Sequence, residues 1–251
     1  MGSLTEGYHS FRVKYKMNKQ PQSIGIISTC IFGDINQPKF MSRYIEPLIK
    51  SCKLINDVLP KWCIRVYVDP NIPQKLIQTL IDNGCEVYVM EKESIGTIGT
   101  MWRFLPASET KPFISYDADI CLNKSDYTVT DLKQSVNKWL KTDKVFFQRS
   151  HSILNYFIPI CAGMWGAKPT KEGNAPIPDI QQKLEKYNSS WYGCDEAFLT
   201  KEIYPLFKAN NNFLKIRCKL DIIFGLILII CLALMILFLV YKIFINDIYN
   251  T

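Results

Sequence analysis

Short apolar runs alternate with amphipathic stretches through the first half of the chain. Ser23 to Phe32 (SIGIISTCIF) is one such run and stops at Gly33-Asp34, as a buried strand does. Pro38 then opens a helical pattern that sets Met41, Tyr44, Ile45, Leu48, Ile49, Cys52 and Ile55 on one face, with a kink expected at Pro47. Trp62 to Val68 (WCIRVYV) reads as a second strand ending at Asp69-Pro70. Pro73 starts a short helix through Leu76, Ile77, Leu80 and Ile81, stopped by Gly84. Cys85 to Met90 is a third strand. Alternating strands and helices predict an α/β fold with a mostly parallel sheet and right-handed crossovers.

The pattern continues more loosely. Pro112 to Tyr116 supplies a fourth strand, followed by a helix over Thr130 to Lys141 and a strand over Lys144 to Gln148. An apolar stretch from Ile158 ends in Gly163-Met164-Trp165-Gly166. Asp179 to Tyr187 is helical, and Trp191-Tyr192-Gly193-Cys194-Asp195-Glu196 leads into a last short helix that Pro205 is expected to end.

The fourth strand delivers the chain into Asp117-Ala118-Asp119. Period-2 alternation turns the two carboxylates to one side. Ligands of open α/β sheets bind outside the carboxyl ends of strands. Two carboxylates in that place suit a hard divalent cation, Mn²⁺ or Mg²⁺, beside a diphosphate-containing substrate. A strand-end turn with two solvated aspartates is the alternative.

From Ile222 through Tyr241 no residue is charged, and those 20 residues match the thickness of a bilayer core. Lys215, Arg217 and Lys219 precede the run and Lys242 follows it. That bias predicts a single-pass C-terminal anchor with the N-terminal domain cytosolic; a buried core helix is the alternative. The expected organisation is a disordered basic leader at 1–21, a catalytic domain at 22–208, a basic juxtamembrane hinge at 209–221, a transmembrane helix at 222–244 and a tail at 245–251.

Composition adds limits. A chain of 251 residues, 48% of them hydrophobic, can build one ordinary domain plus an appendage. The net charge of +7 comes largely from the leader and the group before the apolar run, placements that suit anionic lipid. No dense basic and aromatic stripe supports nucleic-acid binding. The nine cysteines are scattered singly, with no C-x-x-C pair. Reduced thiols fit better than a zinc site or a disulfide framework.

Taken in order, the βαβ half, the strand ending in D-x-D, the G-M-W-G turn and the late Y-G-x-D-E-x-F-L segment resemble GT-A fold glycosyltransferases. The likeness is to the small nucleotide-diphospho-sugar transferases of large DNA viruses, and it spans roughly Ser23 to Leu206. It implies transfer of a sugar from a nucleotide-diphosphate donor, UDP-linked by analogy, to a glycan, protein or lipid acceptor. By position it implies that Asp117 and Asp119 hold the metal, and that Thr29, Asp69 and Arg103 line the nucleotide and phosphate pocket. Gly163 and Trp165 would approach the sugar, and Asp195 and Glu196 would supply the acidic pair of the catalytic step.

Each role has a structural alternative. Asp69-Pro70-Asn71 is ordinary turn chemistry, and Arg103 can lie on the surface over an inward Trp102 and Phe104. Trp165 can be core, and Asp195 can cap the last helix. Many GT-A enzymes also complete the metal site with a C-terminal histidine, whereas this chain has only His9 and His151. An inactive sugar- or partner-binding module therefore stays open. So does a haloacid-dehalogenase-type phosphatase, although Cys121 stands where that motif wants Thr or Val.

Overall fold

The computed structural model describes residues 11–17, 23–119, 122, 127–150, 159–187, 190–217, 227 and 229–239. His9 and His151 lie outside these residues. Strands β1 (Val13–Met17), β2 (Gly25–Ile31), β3 (Trp62–Val68), β4 (Glu86–Met90), β5 (Phe113–Ser115), β6 (Phe146–Ser150), β7 (Trp165–Ala167) and β8 (Phe213–Arg217) form one sheet. Their spatial order is β1-β4-β3-β2-β5-β7-β6-β8. The middle run β4-β3-β2-β5 is parallel. β1 and β7 are antiparallel to their neighbours, and β8 is parallel to β6.

Both faces of this sheet are covered, which is why its central strands read as unbroken apolar runs. On one face Ile27, Val66, Val87 and Ile114 pack with α1 (Glu46–Val58), α2 (Gln74–Asp82) and α3 (Tyr127–Leu140). On the other, Ile26, Tyr67, Met90 and Phe113 pack with a 3₁₀ segment (Ile98–Ser108), α4 (Ile180–Lys186), α5 (Cys194–Phe198) and α6 (Tyr204–Lys208). Arg65, in the middle of β3, is buried yet satisfied. Its Nε donates to Glu86 at 2.9 Å, and a second nitrogen pairs with Glu109.

Several expectations need correction. Val13–Met17, assigned to a disordered leader, is an edge strand paired with β4, and Phe11 is buried. Phe213–Arg217, assigned to a hinge, pairs with β6 as a further edge strand. The kink at Pro47 is a π-helical turn (Met41–Ile45) running into α1, whose first turn holds the proline. Pro205 opens α6 rather than ending a helix, as suits a residue without an N–H donor.

The membrane anchor at 222–244, with the single-pass placement and cytosolic orientation built on it, is overturned. Among the described residues no helix is long and apolar enough to cross a membrane. Among the described residues the continuous helical part of that run is 229–239, and those 11 residues reach only about 16 Å of a roughly 30 Å hydrocarbon core.

Candidate active site

The strand order changes direction at β2. The crossover through α1 leads to β3 on one side, and β5 lies on the other. A crevice therefore opens between the carboxyl ends of β2 and β5, the place where doubly wound sheets take ligands. Two adjoining clefts occupy it. The larger, of about 530 Å³, lies between the loop after β2 (Phe32, Gly33, Asp34), the π turn (Arg43, Tyr44) and Asp117 to Asp119. The smaller, of about 230 Å³, is lined by Thr97, Cys161, Gly163, Tyr192 and Glu196, among others. Arg103, Asp117, Asp195, Thr100 and Tyr192 border both.

Arg103 is the centre of this arrangement. It comes from the buried 3₁₀ segment and is itself 5% exposed. Its guanidinium pairs with Asp117 Oδ1 and donates to Asp195 Oδ2 at 3.0 Å. Burial alone would lower its pKa, but the carboxylates, Asp117 foremost, raise it above the usual arginine value and hold it as a cation. Three distant segments are thus tied together by one fork of donors. The surface alternative for Arg103 fails.

Asp117 and Asp119 lie just past β5, in the turn that follows it. Both face the larger cleft. Asp119 Oδ2 accepts a hydrogen bond from exposed Arg43 at 3.4 Å. Arg43 had no spacing signal in the sequence; the π turn aims it inward. Gly163 packs on Asp117 so closely that a Cβ there would overlap its carboxylate. Ser115 fixes that approach by donating from Oγ to the Ala162 carbonyl at 2.6 Å.

Glu196 faces only the smaller cleft. Burial raises its carboxyl above the usual glutamate value, and the charge of Asp195 pushes the same way. Burial also drives the thiols up, Cys30 to about 12 and Cys161 to about 11. They stay protonated near neutral pH and make poor nucleophiles. No disulfide joins two of the described cysteines.

Other expected site residues lie elsewhere. Thr29 is buried in β2 and lines neither cleft; the β2 residues that reach the larger one are Cys30 and Ile31. Asp69 is also buried, and its carboxylate accepts from the amides of Asn71 at 3.2 Å and Ser94 at 2.8 Å. It organises two loops. Trp165 is 0% exposed, boxed by Phe104, Phe113 and Phe207. No sugar can stack on it. The exposed aromatic at the clefts is Tyr192, which the late motif contains without marking it as a site residue.

For a divalent cation the donor set is partial. Among the described residues no group of three or more His, Cys, Asp or Glu could hold a metal. The hydrogen bonds to the pair engage Asp117 Oδ1 and Asp119 Oδ2. The other oxygen of each, with Asp117 Oδ2 lying against Gly163, fits the one or two protein carboxylates Mg²⁺ ordinarily takes.

No protein-family model matches the chain, and no curated protein matches it. Among solved structures it is similar to the glucosyl-3-phosphoglycerate synthase of M. tuberculosis, with a TM-score of 0.47 and 12% identity over 78% of this chain and 70% of that one. It is also similar to a cytidylyltransferase from Leptospira borgpetersenii, with a TM-score of 0.43 and 15% identity over 79% of this chain and 77% of that one. At this distance the chemistry must be read from the site's own residues.

Proposed function

We propose that the protein is a metal-dependent glycosyltransferase that moves a sugar from a nucleotide-diphosphate donor to an acceptor hydroxyl. The observation that supports this reading most is the Asp117–Arg103–Asp195 bridge between two clefts at the sheet's switch point. The larger cleft has room for a nucleotide. The smaller, across the bridge, has room for an acceptor.

Asp117 and Asp119 would hold Mn²⁺ or Mg²⁺ through the oxygens that Arg103 and Arg43 leave over. Such a cation neutralises the charge that develops on a departing nucleoside diphosphate. Arg103 holds Asp117 in place and fixes Asp195 beside it. Arg43, mostly exposed and able to swing from Asp119, supplies a guanidinium for phosphate. Glu196 stands on the acceptor side, forms no ion pair among the described residues and prefers to take up a proton. It is the general base of this reading, and Asp195 is a positioning residue.

Incubation with a panel of nucleotide sugars and Mn²⁺ tests the reading. Donor turnover should appear, with UDP-linked sugars ahead, and vanish in Asp119→Ala. Nucleotide binding without turnover would favour an inactive binding module. Phosphate trapped on Asp117 would favour the phosphatase.

A further inference from the structure

The smaller cleft has an unusual rim. Tyr192, 90% exposed, borders both clefts, and its chain neighbour Trp191 is 58% exposed. Large aromatic faces left in water beside a cleft mark a binding surface more often than a packing accident. The backbone leading into them is held in place. Thr97 Oγ1 donates to the Ser190 carbonyl at 3.1 Å and to the Trp191 carbonyl at 2.7 Å. Gly193, at φ +85°, turns the chain back beneath them, and a Cβ there would sit 3.2 Å from the Trp191 ring.

The charge of the cleft restricts what can enter. Its lining carries the carboxylates of Asp117, Asp195 and Glu196. The cation among the described lining residues is Arg103, already paired with Asp117 and Asp195. A phosphate or carboxylate brought here would meet like charge, and among the described lining residues no guanidinium or ammonium beyond the paired Arg103 receives it. An uncharged polyol meets acceptors suited to its hydroxyls, and its C–H face meets an aromatic ring.

Building on the acceptor-side reading of this cleft, we propose that it takes an uncharged sugar, with the ring seated on Tyr192 and a hydroxyl directed at Glu196. Acceptors bearing phosphate or carboxylate are excluded. Trp165, the stacking residue the resemblance implies, is core; the exposed ring at Tyr192 fills that need.

Saturation-transfer NMR on the full chain, with UDP and diamagnetic Mg²⁺ present, tests this. The probes are neutral methyl hexopyranosides and glucose 6-phosphate. Saturation should pass from protein aromatic protons to the C–H protons of the neutral glycosides, with glucose 6-phosphate binding at least about tenfold more weakly. Tyr192→Ala should weaken glycoside binding about tenfold, and Tyr192→Phe, which keeps the ring, should retain it. Equal or tighter binding of glucose 6-phosphate overturns the proposal, as does an unchanged affinity in Tyr192→Ala. If UDP binds and no sugar does, this inference fails and the donor-side reading stands. If UDP does not bind either, both fail.

Discussion

Replacing Arg103 with methionine removes the one cation that holds Asp117 and Asp195 together, while keeping much of the side chain's volume. Two carboxylates would then face each other from β5 and α5 with no counter-charge. Breaking a buried ion pair by deleting one partner costs about 3–5 kcal/mol. The Asp117 side chain is 42% exposed and that of Asp195 13%. Water reaching Asp117 screens part of the repulsion, so the low end, about 3 kcal/mol, applies. For a chain of this size that is a fall in Tm of roughly 6–12 °C. Scanning calorimetry of Arg103→Met measures it. A second carboxylate substitution should return part of the loss, so Arg103→Met/Asp195→Asn should melt above Arg103→Met alone. A variant that melts with the parent would refute the bridge as an organising feature, and an additive double mutant would deny the coupling.

Three other outcomes follow from the same geometry. Because burial raises the Glu196 pKa, the folded state binds a proton the unfolded state has lost, so stability should fall as pH rises from the ordinary glutamate range through the raised value. Turnover should rise over that same window, and Glu196→Gln should abolish both trends in paired melting and rate profiles. Trp165→Ala should cost about 3–5 kcal/mol in urea denaturation and leave UDP affinity of the folded protein unchanged, since the indole is core rather than sugar platform. Gly163→Ala should displace the Asp117 carboxylate and weaken Mn²⁺-dependent UDP binding by about tenfold or more, measured by titration calorimetry.

The buried half of the fold was legible because burial on both faces leaves a plain trace. WCIRVYV is β3 residue for residue, and Gly84, expected to stop α2, sits at φ +92°. Edge strands leave a weaker trace. VKYKM and FLKIR carry lysines that suit an exposed sheet edge and equally suit a solvated tail, so β1 and β8 read as leader and hinge. The 3₁₀ segment has no 3.6-residue period to find, and its apolar character comes from burial all round.

The site divides the same way. Asp117 and Asp119 were expected at the carboxyl end of a strand, and the structure places both on the larger cleft. Arg103 was named, but nothing in MWRF tells whether a guanidinium turns inward; that depends on carboxylates 14 and 92 residues away. Asp69 and Trp165 were drawn to the site by position alone, and local packing claimed both. The uncharged run at 222–241 has the length of a membrane span by composition, yet its described helix is too short to be one.

The central claim is that Asp117 and Asp119 hold a divalent cation against a nucleoside diphosphate in the larger cleft. Titration calorimetry of UDP into the full chain, with and without Mn²⁺, and again in Asp119→Ala, tests it most directly. The account predicts that UDP binding strengthens at least about tenfold with Mn²⁺ and that Asp119→Ala removes this gain. UDP affinity indifferent to Mn²⁺, or an Asp119→Ala protein that keeps the full metal effect, would contradict it.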